Sequence, residues 1–417
     1  MSSEHIETVI VGAGQAGLSI SEHLTRFGCP HVLLEQNVIG DSWRNERWDS
    51  MLSNGPAWHD RLPSLEFPDV APDQYATAAQ VADYLELYAK KTAAPVRTGV
   101  KVLRAQRRVR KKGFRIETSD GVLLTENLVA ASGTMRSAKR SNLIPEAKGL
   151  LQIHSSEYRN PEQLNPGCTL VIGSGASGTQ IAIELMESGR SVFLSLGHNM
   201  RPPRTYRTIA SARWSSVLGL WDTVADSSER NTTIAQSGSP ISHTIDYRKL
   251  NKKGMRLVGK TDGFDNGRIT FKDTLRESVE YGNRKYLENL RLVDEYITRN
   301  GLELPLDRDA WLISPITDDE LYPCKALDLR KENILNIIWA HGFNIEYSWM
   351  DIDRALRDDG YPIHKYGISP EEGLYFIGLP WQINRSSSFI WGEWNDAALI
   401  AQTIWRRRGY FEYRNQG

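Results

Sequence analysis

The chain has 417 residues, with 51 Lys and Arg against 51 Asp and Glu, so its formal net charge is zero; 40% of residues are hydrophobic and 24% charged. At roughly 150 residues per domain this length suggests two or three globular domains, and the even charge argues against a large nucleic-acid surface or a disordered polyelectrolyte. Three cysteines (Cys29, Cys168 and Cys324) form no CxxC, which excludes a disulfide scaffold, a cysteine zinc site and a CxxC dithiol centre.

No apolar run reaches the roughly 18 residues of a membrane span. Thr8 to Val11, after a polar start, is too short for a signal-peptide core, so a cytoplasmic setting is expected. The nine histidines are scattered without an HExxH, and no metal site is expected. The 12 tryptophans are expected as core and pocket walls.

In chain order, Ile6 to Val11 reads as a strand and Gly12-Ala13-Gly14-Gln15-Ala16-Gly17 as a turn. A helix follows to Gly28, then the strand His31 to Leu34, closed by Glu35. Gly12 allows the tight turn, Gly14 lets the backbone approach a pyrophosphate, and Gly17 lets helix pack on strand. The helix start offers free N–H groups to phosphates. Glu35, about 20 residues beyond Gly14, is placed for ribose hydroxyls and suits the unphosphorylated ribose of FAD.

Leu128 to Thr134 is an apolar strand ending in small residues. The first device then recurs: Thr169 to Ile172, Gly173-Ser174-Gly175-Ala176-Ser177-Gly178, a helix to Gly189 and the strand Ser191 to Leu194. Gly12, Gly14, Gly17 and Gly28 each have a counterpart 161 residues on (173 less 12, for example). Allowing a connection one residue shorter, Ser195 stands where Glu35 did, with Arg201, Arg204 and Arg207 close behind. A neutral group followed by arginines suits the 2′-phosphate of NADPH. Ile337 to Phe343 repeats the form of Leu128 to Thr134, as a second strand returning toward a nucleotide.

Residues 206–323 read least clearly, with a polar stretch at Asp226 to Ser242, short strands and turns over Leu250 to Phe271, and a helix over Leu275 to Arg299 that buries Leu287, Leu290, Val293 and Ile297. This segment is expected as a lid or substrate wall. The closing run Arg406-Arg407-Arg408 is expected to meet the helix dipole or solvent.

These motifs resemble the class B flavoprotein monooxygenases, which include flavin-containing, YUCCA-type and Baeyer–Villiger enzymes. The resemblance spans almost the whole chain. It rests on both glycine turns, on Gly40-Asp41-Ser42-Trp43-Arg44, on Ala131-Ser132-Gly133 and Ala340-His341-Gly342, and on Gly373 to Pro380. The family fingerprint FxGxxxHxxxY(K/R) is partly present. His154, Tyr158 and Arg159 match, Ala147 replaces Phe, and Gly149 lies one residue too far from His154. The Tyr-Arg ending is closer to heteroatom oxygenases than to Baeyer–Villiger enzymes.

The resemblance implies an α/β fold of two Rossmann-like domains, the second inserted in the first. The FAD domain is expected over 1–155 and 335–417, and the NADPH domain over 160–330. It implies a C4a-hydroperoxyflavin that passes one oxygen of O2 to a small organic substrate, most simply at nitrogen or sulfur, with no nucleic-acid or membrane partner. Carbonyl oxygenation, and an NAD(P)H:acceptor reductase without oxygenation, are the alternatives. Asn54, in Ser53-Asn54-Gly55-Pro56, is the expected contact to nicotinamide or flavin peroxide. FAD contacts are expected from Gly12, Gly14, Gln15, Ala16, Gly17, Glu35, Gln36, Trp43, Arg44, Val102, Ser132, Gly133 and Gln382. NADPH contacts are expected from Gly173, Gly175, Ala176, Ser177, Gly178, Ser195, Arg204, His341 and Gly342.

Overall fold

The computed structural model describes residues 3–224, 233–234, 244–313 and 324–414. Of the polar stretch 226–242, all but 233–234 lies outside these residues.

Two five-stranded parallel sheets form the frame. In the first, the order is Leu374–Phe376, Asn127–Ala130, Thr8–Val11, His31–Glu35, Val96–Thr98. In the second it is Leu151–His154, Ile334–Trp339, Cys168–Ile172, Val192–Ser195, Arg256–Val258. Parallel strands covered on both faces must be apolar on both, and Thr8–Val11 is buried throughout. Ile10 packs with the helices, while Val9 and Val11 pack beneath a second sheet built around Phe114–Thr118. The second frame repeats this, with Val171 on the helix side and Leu170 and Ile172 facing the three-stranded sheet Thr261–Asp265, Arg268–Phe271, Ala326–Asp328.

The pairings place the crossings differently from the sequence reading. Leu151–His154 and Ile334–Trp339 pair with each other inside the second sheet. We therefore propose that the second unit runs over 151–339, rather than 160–330, because hydrogen-bonded strands cannot be parted between domains without orphaning their backbone groups.

Register also corrects one equivalence. Thr8 pairs with His31 and Thr169 with Val192, so the two strand-to-strand connections have equal length. Ser195 therefore matches Leu34, and buried Leu196 stands where Glu35 does. The second unit still has no carboxylate at that strand end.

Helices Gln15–Arg26 and Ala176–Glu187 keep the same phase as the glycines. Glu393–Arg414 packs on the first of them through Ile400, Ala401 and Ile404, and Phe27 stacks on Trp405 at 5.4 Å. Of the closing arginines, Arg407 donates to Glu372 (2.9 Å) and Tyr375, and Arg408 to the Gly28 carbonyl (3.0 Å). They tie the last helix to the first unit. Helix Leu275–Arg299 buries Leu290, Val293 and Ile297 as its spacing predicts, with Leu287 partly buried beside them. Among the described residues, no helix is long and apolar enough to cross a membrane.

Packing at the turns is closest where glycine stands. A Cβ on Gly178 would lie 1.9 Å from the Gly173 carbonyl oxygen, and one on Gly17 2.0 Å from that of Gly12. Backbone cannot yield as a flexible side chain can. Gly178→Ala is therefore expected to cost about 1–3 kcal/mol, read as a lower midpoint in urea unfolding with an unchanged m-value.

Candidate functional site

Gly14 and Gly175 are the N-caps of the two matching helices. Neither helix start has a side-chain cap or an acid in its first turn. The free N–H groups and the dipole end are thus left for an anion. A Cβ on Gly14 would meet nothing within 4 Å, so the backbone face there is open to a pyrophosphate.

A single cavity of about 1820 Å³ runs across both turns. Gly12, Gly14, Gln15 and Ala16 line it from the first unit, and Gly173, Gly175, Ala176, Ser177 and Gly178 from the second. Glu35, Gln36, Trp43, Asn54, Val102, Ser132 and Gly133 line the first side; Ser195, His341 and Gly342 line the second. The Glu35 carboxylate is held beside its turn by the N–H groups of Ala13 (3.1 Å) and Asn37 (3.0 Å). Asn54 is tied across the cleft, since its Oδ1 accepts from Gln180 Nε2 at 3.0 Å. Both cofactors expected from the sequence fit this cradle: two uncapped helix starts for two pyrophosphates, and a carboxylate at only the first strand end.

Four expected contacts lie elsewhere. Gly17 is spent on packing against Gly12. Arg44 turns outward to Asp83 (2.6 Å) and Glu86 (2.8 Å); Arg47, just past the end of the short helix Asp41–Asn45, lines the cavity over Trp43. Arg204 does not reach Ser195. Its guanidinium lies 3.7 Å from the Tyr75 ring centre and donates to the Asn54 carbonyl at 3.2 Å, and burial pulls its pKa down to about 10. Arg201 and Arg207 are likewise committed, to the Val279 carbonyl (3.0 Å) and to Asp294 (2.8 Å). Gln382 packs its amide against Gly367 and Leu379, away from the cavity lining.

Other residues line the cavity at these places without a motif to announce them. Beyond Ser195, the cavity wall carries His198, Lys260 and Thr261. Ser195 Oγ donates to the Gly259 carbonyl at 2.9 Å and accepts from Thr261 N, which fixes this corner. Glu277 lies there too, 3.4 Å from His198. On the first side, Glu393 opens the last helix against the cavity. Trp43 donates to Gln15 Oε1 (3.2 Å), and Gln15 Nε2 donates to Glu393 Oε1 (3.5 Å). Burial pushes the Glu393 carboxyl well above the usual range, partly offset by Gln15. His59, Asp60, Trp221 and Trp391 also line the cavity. The His59-Asp60 pair, close after Asn54-Gly55, was visible in the chain but carries no known spacing.

Tyr158 and Arg159 are structural here. Tyr158 donates to Glu184 at 2.9 Å, and Arg159 donates to the Ser156 carbonyl at 2.8 Å. Among the described residues no cluster of His, Cys, Asp or Glu is arranged to hold a metal.

Comparison with known proteins agrees with this geometry. The model of the pyridine nucleotide-disulphide oxidoreductase family matches residues 9–213. An uncharacterized CzcO-like oxidoreductase of Geobacillus kaustophilus is 30% identical, over 96% of this chain and 98% of its own. A probable indole-3-pyruvate monooxygenase, YUCCA1 of Arabidopsis thaliana, is 29% identical, over 95% and 90%. A flavin-containing monooxygenase from Stenotrophomonas maltophilia shares the fold at TM-score 0.64 and 18% identity, covering 96% of this chain and 98% of that one. The chain belongs to the class B flavoprotein monooxygenase family. More particularly, it is an NADPH-dependent flavoprotein enzyme, with FAD and NADPH as its cofactors.

Beside Glu393 in the last helix, Asp396 is 1% exposed, and burial pushes its carboxyl up to about 7, against a partial offset from Ser387. In the unfolded chain such a group ionises near about 4. Its contribution to stability is full below that value and is lost as pH rises through about 7. Asp396→Asn is therefore expected to match the parent's melting temperature near pH 4 and to exceed it increasingly up to pH 8; a constant difference across this range would contradict the assignment.

Proposed function

We propose that this protein is a monooxygenase that uses FAD and NADPH to insert one oxygen of O2 into a small organic substrate at nitrogen or sulfur. The observation that carries this reading is the single cavity joining both glycine turns. Reducing and oxygenating chemistry need both cofactors within one enclosed space. When bound, FAD accepts a hydride from NADPH and activates O2; the organic chemistry is the cofactor's, and the protein supplies position and shelter.

The chain's own residues divide that task. The N–H groups after Gly14 and Gly175 bind the two pyrophosphates, and Glu35 binds a ribose through its remaining lone pairs. Lys260 supplies positive charge for the 2′-phosphate and His198 a ring nitrogen beside it, in place of the arginines that are committed elsewhere. Asn54, held by Gln180, offers its amide N–H to the reacting end of a cofactor. Glu393, whose carboxyl burial pushes well above the usual range, stands at the other edge of the first site. Trp48, Trp221, Trp349, Trp381 and Trp391 surround the interior with apolar area that excludes water.

A 2-oxo acid substrate is the second reading, favoured by one observation: the chain covers 90% of a relative named for indole-3-pyruvate.

Two outcomes are expected. Under 18O2, NADPH oxidation in the presence of a turned-over amine or sulfide should place one labelled oxygen in the product; NADPH consumption with no label in any organic product would leave a reductase instead. Lys260→Ala should raise KM for NADPH by roughly five- to tenfold, the scale of one charge-assisted contact, with KM for NADH little changed. Equal effects on both nucleotides would remove Lys260 from the 2′-phosphate.

A further inference from the structure

Within the cavity, one cluster is not accounted for by either cofactor cradle. His59 lies among aromatic rings, with its centre 4.6 Å from Trp391, 5.3 Å from Trp58 and 6.0 Å from Trp221. Trp221 is 5.2 Å from Trp391, and Phe389 lies parallel to Trp391 at 6.1 Å. The walls of this box come from three separated segments. Two of them are joined by backbone bonds from Ser386 N to the Trp221 carbonyl (3.2 Å) and from Arg385 N to the Thr223 carbonyl (3.0 Å). The box thus spans both nucleotide-binding units.

The polar atoms within it are held in a defined state. His59 Nδ1 lies 2.7 Å from Asp60 Oδ1, so it donates its proton to that carboxylate. Asp60 Oδ2 accepts from Gly55 N at 2.8 Å. A Cβ on Gly55 would lie 2.3 Å from Asp60 Oδ1, so the Asn54-Gly55 turn admits this carboxylate only because residue 55 is glycine. With Nδ1–H engaged by Asp60, the tautomer this contact selects presents Nε2 as an acceptor. The His59 side chain is 8% exposed, and its Nε2 has no hydrogen-bond partner among the described residues; neither has the buried indole N–H of Trp221. A buried polar atom without a partner is costly. Two of them, an acceptor and a donor, on neighbouring rings of one cluster point to a ligand that pairs both.

We infer that the His59–Asp60 pair and the rings of Trp58, Trp221, Phe389 and Trp391 form the substrate-binding site, and that it takes a planar aromatic molecule bearing a hydroxyl or N–H donor. The ring of the ligand packs against the sides of Trp221, Phe389 and Trp391 that line the cavity, where offset and edge contacts favour aromatic partners. Its donor hydrogen-bonds His59 Nε2, and a hydroxyl oxygen in turn accepts from Trp221 Nε1. Asp60 acts as a positioning residue, fixing the imidazole tautomer. This assignment deepens the monooxygenase reading and rests on it for the word substrate; the binding itself needs no turnover.

The test uses the FAD-loaded protein without NADPH, titrated calorimetrically with 4-ethylphenol and with 4-ethylanisole, which differ in the donor. The phenol is expected to bind roughly tenfold tighter, the value of one well-made buried hydrogen bond. His59→Phe, which keeps a ring in the box, should bring the two affinities together, and Asp60→Asn should narrow the gap. Trp391→Ala should weaken both probes while preserving their ratio, which a general loss of folding would not do. Equal affinities in the parent, a preference for the ether, a ratio unchanged in His59→Phe, or failure of both probes to bind would overturn the assignment. Any of these with 18O incorporation into an aliphatic amine or sulfide intact would discard the aromatic box and leave the oxygenase standing.

Discussion

Each unit depends on one close backbone approach. In the first, a Cβ on Gly12 would lie 2.4 Å from the Ala131 carbonyl oxygen, and in the second a Cβ on Gly173 would lie 2.4 Å from that of Ala340. Both glycines have positive φ, +108° and +111°, a region closed to most side chains. The turn therefore settles against the end of the returning strand, with the helix start just beyond it. This contact sets the exposed N–H groups, the position of Ser132-Gly133 and His341-Gly342 on the cavity wall, and the point where the chain crosses between units. The phosphate cradle and the crossing are consequences of the same packing.

That arrangement lets a chain of zero net charge hold two anionic cofactors. Backbone N–H groups and helix dipoles supply local positive potential without a formal charge. The cavity wall adds Arg47, Lys101, Arg136, Lys139, Lys260 and Arg385. Elsewhere the arginines are structural: Arg201, Arg204 and Arg207 each close a gap between segments of the second unit or across the cleft. Burial lowers the basicity of Arg201 and Arg204, whereas Tyr206 and Asp294 raise that of Arg207, and a cation so committed is poorly placed to meet a phosphate.

Where the sequence was readable, a short-range constraint had left its mark. Gly12, Gly14 and Gly17, the apolar run Thr8–Val11, and their repeats all carry information within a few residues, because turn geometry and strand burial act locally. Asn54-Gly55 was legible as a turn, yet its use, to admit the Asp60 carboxylate, was not. Arg44 and Gln382 were plausible by position along the chain, but each faces away from the cavity because a helix or loop turns it there. Arg47 and Glu393 sit a short distance along the same segments and line the cavity instead. A difference of a few residues decides the face, and the family pattern is too coarse to resolve it.

The sequence alone determined that there are two dinucleotide-binding units, that they share one design, and that only the first ends its second strand in a carboxylate. These are properties of local spacing, which tolerates little variation when glycine is the only residue that fits. The tertiary structure decided the pairing of Leu151–His154 with Ile334–Trp339, the equivalence of Leu196 with Glu35, the residues that line the cavity beyond Ser195 and the aromatic box around His59. Each of these depends on strand register or on side chains brought together from segments hundreds of residues apart. Such meetings leave no periodicity behind, because the chemistry of a pocket is set by side chains that converge in space rather than by neighbours along the chain.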